Sequence, residues 1–497
     1  MAANHITAAE LAENMNLTQL FGNGELEIKD ITHDSRQARP GSLFVAVKGL
    51  TMDGHKFIED VIRRGAAGII SQQDPTDGFQ GIWLKVPDSR KAMAEAAAIV
   101  HGNPSAELNL IGITGTNGKT TTTYLTLAVA NAGGSKSAML TTVEYRIGEE
   151  TRPAVRTTPE STDTQRFLRE AVSKGCRTAV MEASSQAIDL RRCDKLEFRV
   201  AVFTNLTRDH LDYHHTMENY FDAKKELFDG RLGKPPAASV INIDDEWGVK
   251  LADDLRECGQ KVVTCSQVDD ADLKASNIEV SLVTGTEFDL ETGKGSIHIQ
   301  SPLVGKPHVY NMLSAAAVGL ELDLELSDIA KAFENCIGAP GRFEKVPHDG
   351  DFAIVVDYAH SDDALLNTLK TARELAKGRI ITVFGCGGDR DKTKRIPMGE
   401  VAGMHSDFVI VTSDNPRTED PLAIINEIES GIKSTGCDYA IEPDRREAIF
   451  KAVATANTND VVIVAGKGHE TYQIVGGDKF HFDDREIAAE AIESLEL

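Results

Sequence analysis

A short apolar run, a glycine-rich turn and a helical pattern follow one another near residue 115. Residues 108–114 (LNLIGIT) are rich in branched apolar side chains, which predicts a strand, and Thr120–Ala132 has the pattern of a helix that ends at Gly133–Gly134. Between them lies the segment Thr114–Thr120 (TGTNGKT). In such a turn the backbone N–H groups, the helix N-terminus and Lys119 all present positive charge to a phosphate. The pattern therefore predicts a phosphate-binding loop in a parallel α/β domain.

The loop differs from the common phosphate-loop spacing GxxxxGK[ST] at one position. Ile113 stands where that pattern has its first glycine, and a glycine follows at Gly115. The hydroxyl of Thr120 is placed to ligate Mg²⁺ beside a bound phosphate. Because the tripeptide GKT is common by itself, an ordinary tight turn is the alternative interpretation.

Length and pattern together predict three α/β domains. The chain has 497 residues, and about 150 residues per domain gives about three domains. Apolar runs separated by helical patterns recur beyond the loop, which indicates parallel sheets with crossover helices. Residues 261–304 alternate β-branched and polar residues, which predicts antiparallel strands appended to the central domain. The predicted domains are 1–107, a small mixed α/β unit; 108–338, the phosphate-loop domain; and 339–497, a Rossmann-like doubly wound unit.

Charge and cysteine content exclude several classes of protein. Lys plus Arg number 53 and Asp plus Glu number 77, so the formal net charge is 53 − 77 = −24. An acidic chain of this kind is a poor partner for nucleic acid or an anionic membrane. It has no run of 18 apolar residues and no basic-then-apolar start typical of a secretory signal. Seven cysteines without CxxC spacing argue against a disulfide framework or a zinc site and favour the reducing cytoplasm.

A series of motifs runs through all three predicted domains, together with the loop TGTNGKTTT. They are DSR (34–36), LFVAVKG (43–49), DGH (53–55), TTPE (157–160), MEASS (181–185), TNLTRDHLDYH (204–214), YFDAKKELF (220–228), NIDD (242–245), PGRFE (340–344), DYAH (357–360), FGCGGDRDKTKR (384–395), DNPR (414–417) and GKGHETYQ (466–473). In this order the motifs resemble those of the Mur ligase family, the ATP-dependent amide ligases of peptidoglycan assembly, and the loop is similar to the ATP loop of that family.

The resemblance implies an activity, substrates and cofactors. Members of the family phosphorylate a carboxylate with ATP and let an amine displace the phosphate, with Mg²⁺ to stabilise the negative charge that develops. The implied substrates are UDP-N-acetylmuramoyl-L-alanyl-D-glutamate and meso-2,6-diaminopimelate, because Asp414–Arg417 (DNPR) matches members that use diaminopimelate and lysine-adding members depart from it. We expect a cytoplasmic enzyme, monomeric, that binds no nucleic acid and inserts in no membrane.

The resemblance also assigns the nucleotide site. Arg342 and Asp357 match positions that reach the ATP phosphates and ribose from the C-terminal domain, and Asn311 is the candidate adenine contact. The family often has a second Asn three residues earlier, which is His308 here. The expected ATP-binding residues are Gly115, Thr116, Asn117, Gly118, Lys119, Thr120, Thr121, Asn311, Arg342 and Asp357.

Five positions are implied in metal binding or catalysis. Glu182 follows the apolar run TAVM, so it is expected at the carboxyl end of a strand near the phosphate loop. With His210 and Thr120 it is expected to bind Mg²⁺, and a zinc site among the crowded histidines is the alternative. Composition alone favours a solvated helix face for Lys224 and Lys225, but the resemblance implies that Lys224 is carbamylated to N6-carboxylysine and joins Lys119 in catalysis.

Two further sets of residues match substrate contacts of the family. Gln186 and Leu190 depart from the usual residues near the peptide contacts. The muramoyl dipeptide is expected at Ser35 of the N-terminal domain, beside the turn 49–55, and at Thr157, Thr158, Ser184 and Arg192 of the central domain. Diaminopimelate is expected at Arg390, Asp414, Asn415, Pro416, Arg417, Gly466 and Glu470, where arginine grips the extra carboxylate and Glu470 accepts from the distal ammonium.

Two other functions are compatible with a phosphate loop. Folylpolyglutamate synthases share the loop and much of the fold, but they lack the N-terminal unit that carries DSR, LFVAVKG and DGH here. A non-catalytic ATP-binding switch protein would not need the metal residues or an amino-acid pocket. Both remain alternatives to the ligase.

Overall fold

The computed structural model describes residues 6–15, 19–49, 52–76 and 78–495. Close contacts divide the chain into two compact units. The first comprises residues 1–275, 290–297 and 310–332, and the second comprises residues 276–289, 298–309 and 333–497. The architecture has three parts, each with its own main sheet.

The N-terminal part is a five-stranded sheet covered by short helices. Its strand order is β2-β7-β6-β5-β4, parallel except for the β2–β7 pair. Phe44 and Trp83 are buried in its core, and Asp88 caps the helix that leads out of the sheet. Its elements are β1 (Ile6–Thr7), α1 (Ala8–Asn14), β2 (Gln19–Phe21), β3 (Glu27–Ile28), β4 (Asp30–Thr32), β5 (Ser42–Val45), α2 (Ile58–Arg63), β6 (Gly68–Ser71), β7 (Ile82–Lys85) and α3 (Ser89–Val100).

The central part contains the phosphate loop, between a buried strand and a 14-residue helix. Its elements are β8 (Asn109–Thr114), α4 (Lys119–Ala132), β9 (Ser137–Leu140), β10 (Glu144–Ile147), β11 (Glu150–Pro153), α5 (Ser161–Ser173), β12 (Thr178–Glu182), α6 (Ser185–Asp189), β13 (Val200–Phe203), α7 (Leu211–His214), α8 (Met217–Lys225), β14 (Ala238–Asn242), α9 (Glu246–Glu257), β15 (Val262–Ser266), β16 (Leu273–Ser281), β17 (Gly285–Thr292), β18 (Gly295–Ser301), α10 (Lys306–Glu321) and α11 (Leu326–Asn335).

The sheet of this part places β8 in its interior, between β12 and β13. The strand order is β11-β10-β9-β12-β8-β13-β14-β15-β16-β17-β18, and β9, β12, β8, β13, β14 and β15 are parallel. In a parallel sheet the carboxyl ends of adjacent strands meet at one edge, where ligands bind. The ends of β8, β12 and β13 therefore form one edge around the loop.

One prediction for this region is wrong in part. Residues 261–304 do not begin with an antiparallel strand, because β15 pairs in parallel with β14 through Ile241↔Thr264 and continues the main sheet. The strand β16 is also parallel to β15, through Cys265↔Leu273. Only β16, β17 and β18 follow the expected pattern, since connections of three and two residues between successive strands require antiparallel neighbours.

The C-terminal part is a doubly wound α/β unit, as predicted. Its sheet has the order β19-β20-β24-β21-β22-β23 and is parallel apart from β19. Apolar residues of these strands are fully buried between helices on both faces. Its elements are β19 (Glu344–Lys345), β20 (Ala353–Asp357), α12 (Asp362–Leu375), β21 (Ile380–Phe384), α13 (Arg395–His405), β22 (Phe408–Val411), α14 (Pro421–Lys433), β23 (Tyr439–Ile441), α15 (Arg445–Thr455), β24 (Val461–Ala465), β25 (Tyr472–Val475), β26 (Asp478–His481) and α16 (Asp484–Leu495).

Among the helices that the structure describes, none is both long enough and apolar enough to cross a lipid bilayer.

Candidate active site

The phosphate loop depends on two glycines whose backbone conformation other residues rarely adopt. Gly115 has φ 145° and Gly118 has φ 85°. A Cβ atom on Gly115 would overlap the hydroxyl of Thr204, and a Cβ atom on Gly118 would lie 2.5 Å from Asn311 Oδ1. The loop therefore packs closely against two other segments of the central part, and α4 begins directly after it at Lys119.

The segment that follows β13 holds the loop by hydrogen bonds. Thr204 Oγ1 donates to the Asn117 carbonyl over 2.6 Å, and the Asn117 N–H donates to Asn205 Oδ1 over 2.9 Å. The N–H of Thr207 donates to Thr116 Oγ1 over 3.0 Å. The motif that begins TNLT in the sequence thus stabilises the conformation of the loop.

Two lysine side chains reach the same backbone oxygen of the loop. Lys119 Nζ donates to Gly115 O over 2.9 Å and to Thr116 O over 2.8 Å, and Lys224 Nζ donates to Gly115 O over 2.8 Å. Lys224 is only 1% exposed, which excludes the solvated helix face that composition favoured for it. Its ammonium lies 4.6 Å from the ring centroid of Tyr220. Burial, followed by the charge of Lys119, holds the pKa of Lys224 well below its usual value.

Lys225, the next residue, is in a different environment. Its Nζ forms a 2.7 Å ion pair with Asp254 on α9, and its side chain is 26% exposed. The helix α8 therefore turns one lysine into the core beside the loop and leaves the other at the surface, as the helical period of 3.6 residues requires for neighbours.

Glu182 ends β12 beside the loop, where its position after an apolar run predicts it. Its carboxylate is 1% exposed and accepts hydrogen bonds from Thr120 Oγ1 over 3.0 Å and from the Thr142 N–H over 2.9 Å. The structure thus brings together two of the four predicted metal residues, Thr120 and Glu182. Their carboxylate and hydroxyl oxygens are the hard ligands that suit Mg²⁺.

The third predicted metal residue is His210, in the segment that follows β13. It precedes α7 with φ 53°, its side chain is 46% exposed, and its ring packs edge-on against Tyr220 at 6.1 Å. Burial lowers its pKa. Tyr220 thus links His210 to Lys224, but in the described part of the chain no three His, Cys, Asp or Glu side chains form a group that could hold a metal ion. The alternative zinc site therefore has no ligand cluster among these residues, and Lys224 could serve an Mg²⁺ ion only after it gained an oxygen donor.

The candidate adenine contact lies next to the loop. Asn311 on α10 is 6% exposed, and its Oδ1 accepts a 3.1 Å hydrogen bond from Thr122 Oγ1. His308, which replaces the first Asn of the family pair, is buried, and burial lowers its pKa to about 4. A neutral, buried histidine can fill that position without a counter-ion.

The four candidate peptide contacts of the central part form one group beside Glu182. Thr158 Oγ1 donates to the Glu182 carbonyl over 2.8 Å, and the Ser184 N–H donates to Thr158 Oγ1 over 3.1 Å. Arg192 Nη1 donates to the Thr158 carbonyl over 3.1 Å. Thr157 Oγ1 lies 3.0 Å from Thr142 Oγ1, next to the same carboxylate.

Ser35 begins a one-turn 3₁₀ helix after β4 in the N-terminal part. The preceding Asp34 accepts from the Arg36 N–H over 2.9 Å and pairs with its guanidinium at 2.8 Å, which lowers the pKa of Asp34 to about 2. His33 Nδ1 lies 2.9 Å from Thr162 Oγ1 on α5, so the segment is anchored to the central part. Residues 50 and 51 of the neighbouring turn, 49–55, lie outside the described residues.

In the C-terminal unit, Asp357 is the last residue of β20, and the charge of Arg342 acts on its carboxylate. Asp357 accepts from the Phe343 N–H over 2.6 Å and from the Ala359 N–H over 2.9 Å, while burial raises its pKa. The Arg342 guanidinium stacks on the Tyr358 ring at 4.5 Å. Arg342 Nε is buried and makes no hydrogen bond within the described ranges.

The candidate diaminopimelate residues of the same unit form a connected polar network. Asn415 Nδ2 donates to Glu470 Oε2 over 2.9 Å, and burial together with Asp414 raises the pKa of Glu470. Arg417 has φ 52°, and its Nη1 donates to the Gly388 carbonyl over 2.8 Å. The other three candidates are the exposed Arg390; Gly466, where a Cβ atom would lie 2.8 Å from Asp414 Oδ2; and Pro416, whose carbonyl packs against Gly388.

Family models match three successive parts of the chain. They are the Mur ligase family catalytic domain at residues 27–103, the Mur ligase middle domain at 113–319 and the Mur ligase glutamate ligase domain at 341–468. The chain belongs to the Mur ligase family.

Relatives of this Mur ligase match over nearly the whole chain. The UDP-N-acetylmuramoyl-L-alanyl-D-glutamate–2,6-diaminopimelate ligase of Geobacter metallireducens is 47% identical and covers 98% of both chains. The protein of the same name in Solibacter usitatus is 45% identical over 94% of both. A solved structure with that name is 31% identical, with a TM-score of 0.72, and covers 99% of this chain and 100% of its own.

Sequence reasoning missed three residues of this Mur ligase that touch the candidate sites. Thr142 bonds to Glu182, and Tyr220 packs between Lys224 and His210. Lys467 is fully buried, and its Nζ donates to Asn415 Oδ1 over 3.0 Å. Tyr220 and Lys467 lie within motifs that the resemblance uses, and the four-residue spacing from Tyr220 to Lys224 marks one face of a helix.

Proposed function

We propose that this Mur ligase joins meso-2,6-diaminopimelate to UDP-N-acetylmuramoyl-L-alanyl-D-glutamate at the expense of ATP, as a monomer in the cytoplasm. The observation that carries the proposal is the full-length match to relatives named as 2,6-diaminopimelate ligases. The connected network of Asn415, Arg417 and Glu470 in the C-terminal unit supports it, because it offers both a cation and a carboxylate to a zwitterionic amino acid.

The proposed reaction has two steps. The free side-chain carboxylate of the D-glutamate attacks the γ-phosphorus of ATP, which gives an acyl phosphate and ADP. The amine of diaminopimelate then adds to the acyl carbon, loses a proton, and expels inorganic phosphate as the amide forms. Both steps increase negative charge on oxygen, so fixed positive groups such as Lys119 beside the loop are suited to stabilise them.

We assign the nucleotide to the loop residues Gly115–Thr121, with Asn311, Arg342 and Asp357 as further contacts. Mg²⁺ would be held by Thr120 and Glu182, with His210 and the carbamate of Lys224 as additional ligands, and the ion would supply Lewis-acid stabilisation of the phosphoryl group. The uncharged form of a lysine amine is the one that reacts with CO₂, and the burial of Lys224, which lowers its pKa, supports this modification.

The proposed domain limits are 1–107 for the UDP-binding domain, 108–338 for the ATP-binding domain and 339–497 for the amino-acid-binding domain. The dipeptide would contact Ser35 in the first domain and Thr157, Thr158, Ser184 and Arg192 in the second. The grouping of the latter four around the end of β12 supports a common ligand.

Phosphate release from ATP tests the function. Purified protein with ATP and Mg²⁺ should release phosphate only when the UDP-muramoyl dipeptide and diaminopimelate are both present. Release with a folate and glutamate would favour a folylpolyglutamate synthase, and nucleotide binding without release under any combination would favour a switch protein. Either result would overturn the proposed ligase.

A further inference from the structure

The carboxylate of Glu160 lies between two arginines that come from different parts of the chain. Glu160 Oε1 is 2.9 Å from Arg192 Nη2, and Oε2 is 3.6 Å from Arg90 Nη1. Arg90 belongs to α3 of the N-terminal part, whereas Arg192 follows α6 of the central part. The three side chains are 9%, 12% and 21% exposed for Glu160, Arg192 and Arg90, so these charges meet in a largely desolvated place.

The local structure around Glu160 favours a role for its side chain in orienting Arg192. Glu160 is the N-cap residue of α5, where a side chain commonly accepts from the first N–H groups of the helix. Within the part of the chain that the structure describes, its carboxylate makes no such hydrogen bond and turns to the arginines instead. The side chain of Glu160 therefore interacts with the two arginines and does not cap the helix.

Glu160 and the Thr158 carbonyl hold two nitrogens of the same guanidinium. Arg192 Nη2 faces Glu160 Oε1, and Arg192 Nη1 donates to the Thr158 carbonyl over 3.1 Å. The third nitrogen, Nε, is buried and has no hydrogen-bond partner among the described residues. Two fixed contacts determine the plane of a guanidinium, so Glu160 fixes the direction in which its remaining N–H groups point.

The cluster of Glu160, Arg90 and Arg192 keeps a net positive charge beside the edge of the central sheet that carries the phosphate loop. Two arginines and one glutamate sum to one positive charge, and Thr158 also donates to the carbonyl of Glu182. A single carboxylate of a ligand is the group that such a cluster accepts. The terminal D-glutamate of the proposed substrate has two carboxylates, and only one of them is activated.

We infer that Glu160 is a positioning residue, which orients Arg192 toward the carboxylate of the D-glutamate that is not phosphorylated. The contact of Glu160 with Arg90 couples this orientation to the N-terminal part. The inference rests on the proposed function, since that function supplies the dipeptide. It adds that correct placement of the reacting carboxylate depends on a residue that does not touch the substrate.

The variant Glu160→Gln removes the charge and keeps the shape. The expected result is a rise of about ten-fold in KM for the UDP-muramoyl dipeptide, with kcat and the KM values for ATP and diaminopimelate within about two-fold of the parent enzyme. A change in kcat alone, or equal rises in all three KM values, would overturn the inference. Arg90→Gln, which leaves the Glu160–Arg192 contact in place, should raise the same KM by about three-fold and provides the test if Glu160→Gln does not fold.

A double-mutant cycle separates positioning from general structural support. If Glu160 acts through Arg192, Glu160→Gln should raise the dipeptide KM much less in an Arg192→Lys background than in the parent enzyme. Independent, multiplying effects would contradict the inference. Asp30→Asn is a matched control, because Asp30 is a 12% exposed carboxylate between Arg39 (2.7 Å) and Arg166 (3.1 Å) that also joins the N-terminal and central parts. It should lower thermal stability without a selective change in the dipeptide KM.

The parent enzyme separates this inference from the proposed function. Failure of the parent to release phosphate with both substrates would refute the function itself. An active parent whose Glu160→Gln variant shows an unchanged dipeptide KM would refute the positioning role alone.

Discussion

Lys119 and Lys224 donate to one and the same atom, the carbonyl oxygen of Gly115, over 2.9 and 2.8 Å. Two ammonium groups at one acceptor repel each other. Lys224 is only 1% exposed, and because burial disfavours the charged form of a lysine, Lys224 is the one that loses its proton more readily. Lys119 has a second acceptor in Thr116 O at 2.8 Å. This arrangement favours an uncharged amine on Lys224, directly beside the phosphate loop.

The first prediction is that Lys224 carries a carbamate. Only an uncharged amine attacks CO₂, and burial together with the charge of Lys119 lowers the pKa of Lys224, which favours that form. Enzyme equilibrated with ¹³C-bicarbonate should show a carbamate carbonyl resonance in its NMR spectrum. Lys224→Arg should abolish the resonance and lower kcat by at least about 100-fold, since a charged side chain would replace a metal-binding anion.

Lys225→Arg is the control for that experiment. Lys225 pairs with Asp254 at 2.7 Å on the surface of α8, and arginine can keep that ion pair. The labelled resonance and the activity should both persist in this variant. A resonance that survives in Lys224→Arg would contradict the prediction.

The second prediction concerns the metal. Glu182→Gln can still accept from Thr120 Oγ1 and the Thr142 N–H, so the local geometry should remain while the negative charge is lost. The Mg²⁺ concentration that gives half-maximal phosphate release should rise at least about ten-fold. Glu170→Gln, which removes a carboxylate that pairs with Lys174 at 2.9 Å, should leave the Mg²⁺ titration unchanged. Equal shifts in both variants would argue that overall charge, and not the site, governs the requirement.

The sequence predicts correctly which residues lie at the edge of the central sheet, because the patterns that determine this are local. An apolar run before Glu182 and a glycine turn before Lys119 each determine which end of a strand carries the residue, and parallel pairing brings Glu182 opposite Ile113. The order of elements and the doubly wound C-terminal unit follow from the same local patterns. The grouping of Thr158, Ser184 and Arg192 follows from the resemblance rather than from periodicity.

Other features depend on contacts between distant segments. Alternating β-branched residues identify β15 as a strand but cannot show that it pairs in parallel with β14, which depends on the crossover helix α9. The adjacent lysines of α8 look alike in the sequence, and only the packing of Tyr220 against the loop makes Lys224 the buried one. The same holds for Lys467, whose two glycine neighbours give no sign of its bond to Asn415.

The third prediction concerns selection of the amino acid. The backbone of Arg417 is held by the antiparallel hairpin of β25 and β26, since its N–H donates to Ile474 O over 3.1 Å and its carbonyl accepts from the Gly476 N–H over 2.7 Å. Arg417→Ala should therefore leave the loop in place and remove only the guanidinium. The KM for diaminopimelate should rise about 100-fold, the KM for ATP should stay within about two-fold, and the preference for diaminopimelate over lysine should largely disappear.

A matched control is Lys392→Ala, which removes a cation that pairs with Glu419 at 2.9 Å in the same unit. It should change none of these constants appreciably. Equal losses for ATP and diaminopimelate in Arg417→Ala would rule out a carboxylate clamp.

The fourth prediction links pH to the stability of the first compact unit through His101. Its side chain is 11% exposed, its Nε2 lies 3.8 Å from Asp30 Oδ1, and burial lowers its pKa from the ordinary 6.5 to about 4. Between these values the unfolded chain binds a proton that the folded chain does not, so the free energy of unfolding falls as the pH is lowered through this window. At pH 5 the loss is about 2 kcal/mol relative to pH 7.

His101→Gln should remove that loss, so the decrease in unfolding free energy from pH 7 to pH 5 should be about 2 kcal/mol smaller than in the parent protein. Urea denaturation followed by tryptophan fluorescence measures it, because both tryptophans, Trp83 and Trp247, lie in the same compact unit as His101. His481→Gln is the control. Glu486 raises the pKa of this exposed histidine, so His481 favours the folded state at low pH, and its removal cannot make the decrease in unfolding free energy between pH 7 and pH 5 smaller. Parallel pH profiles for the parent protein and His101→Gln would show that His101 takes up its proton in the folded state at its ordinary pKa.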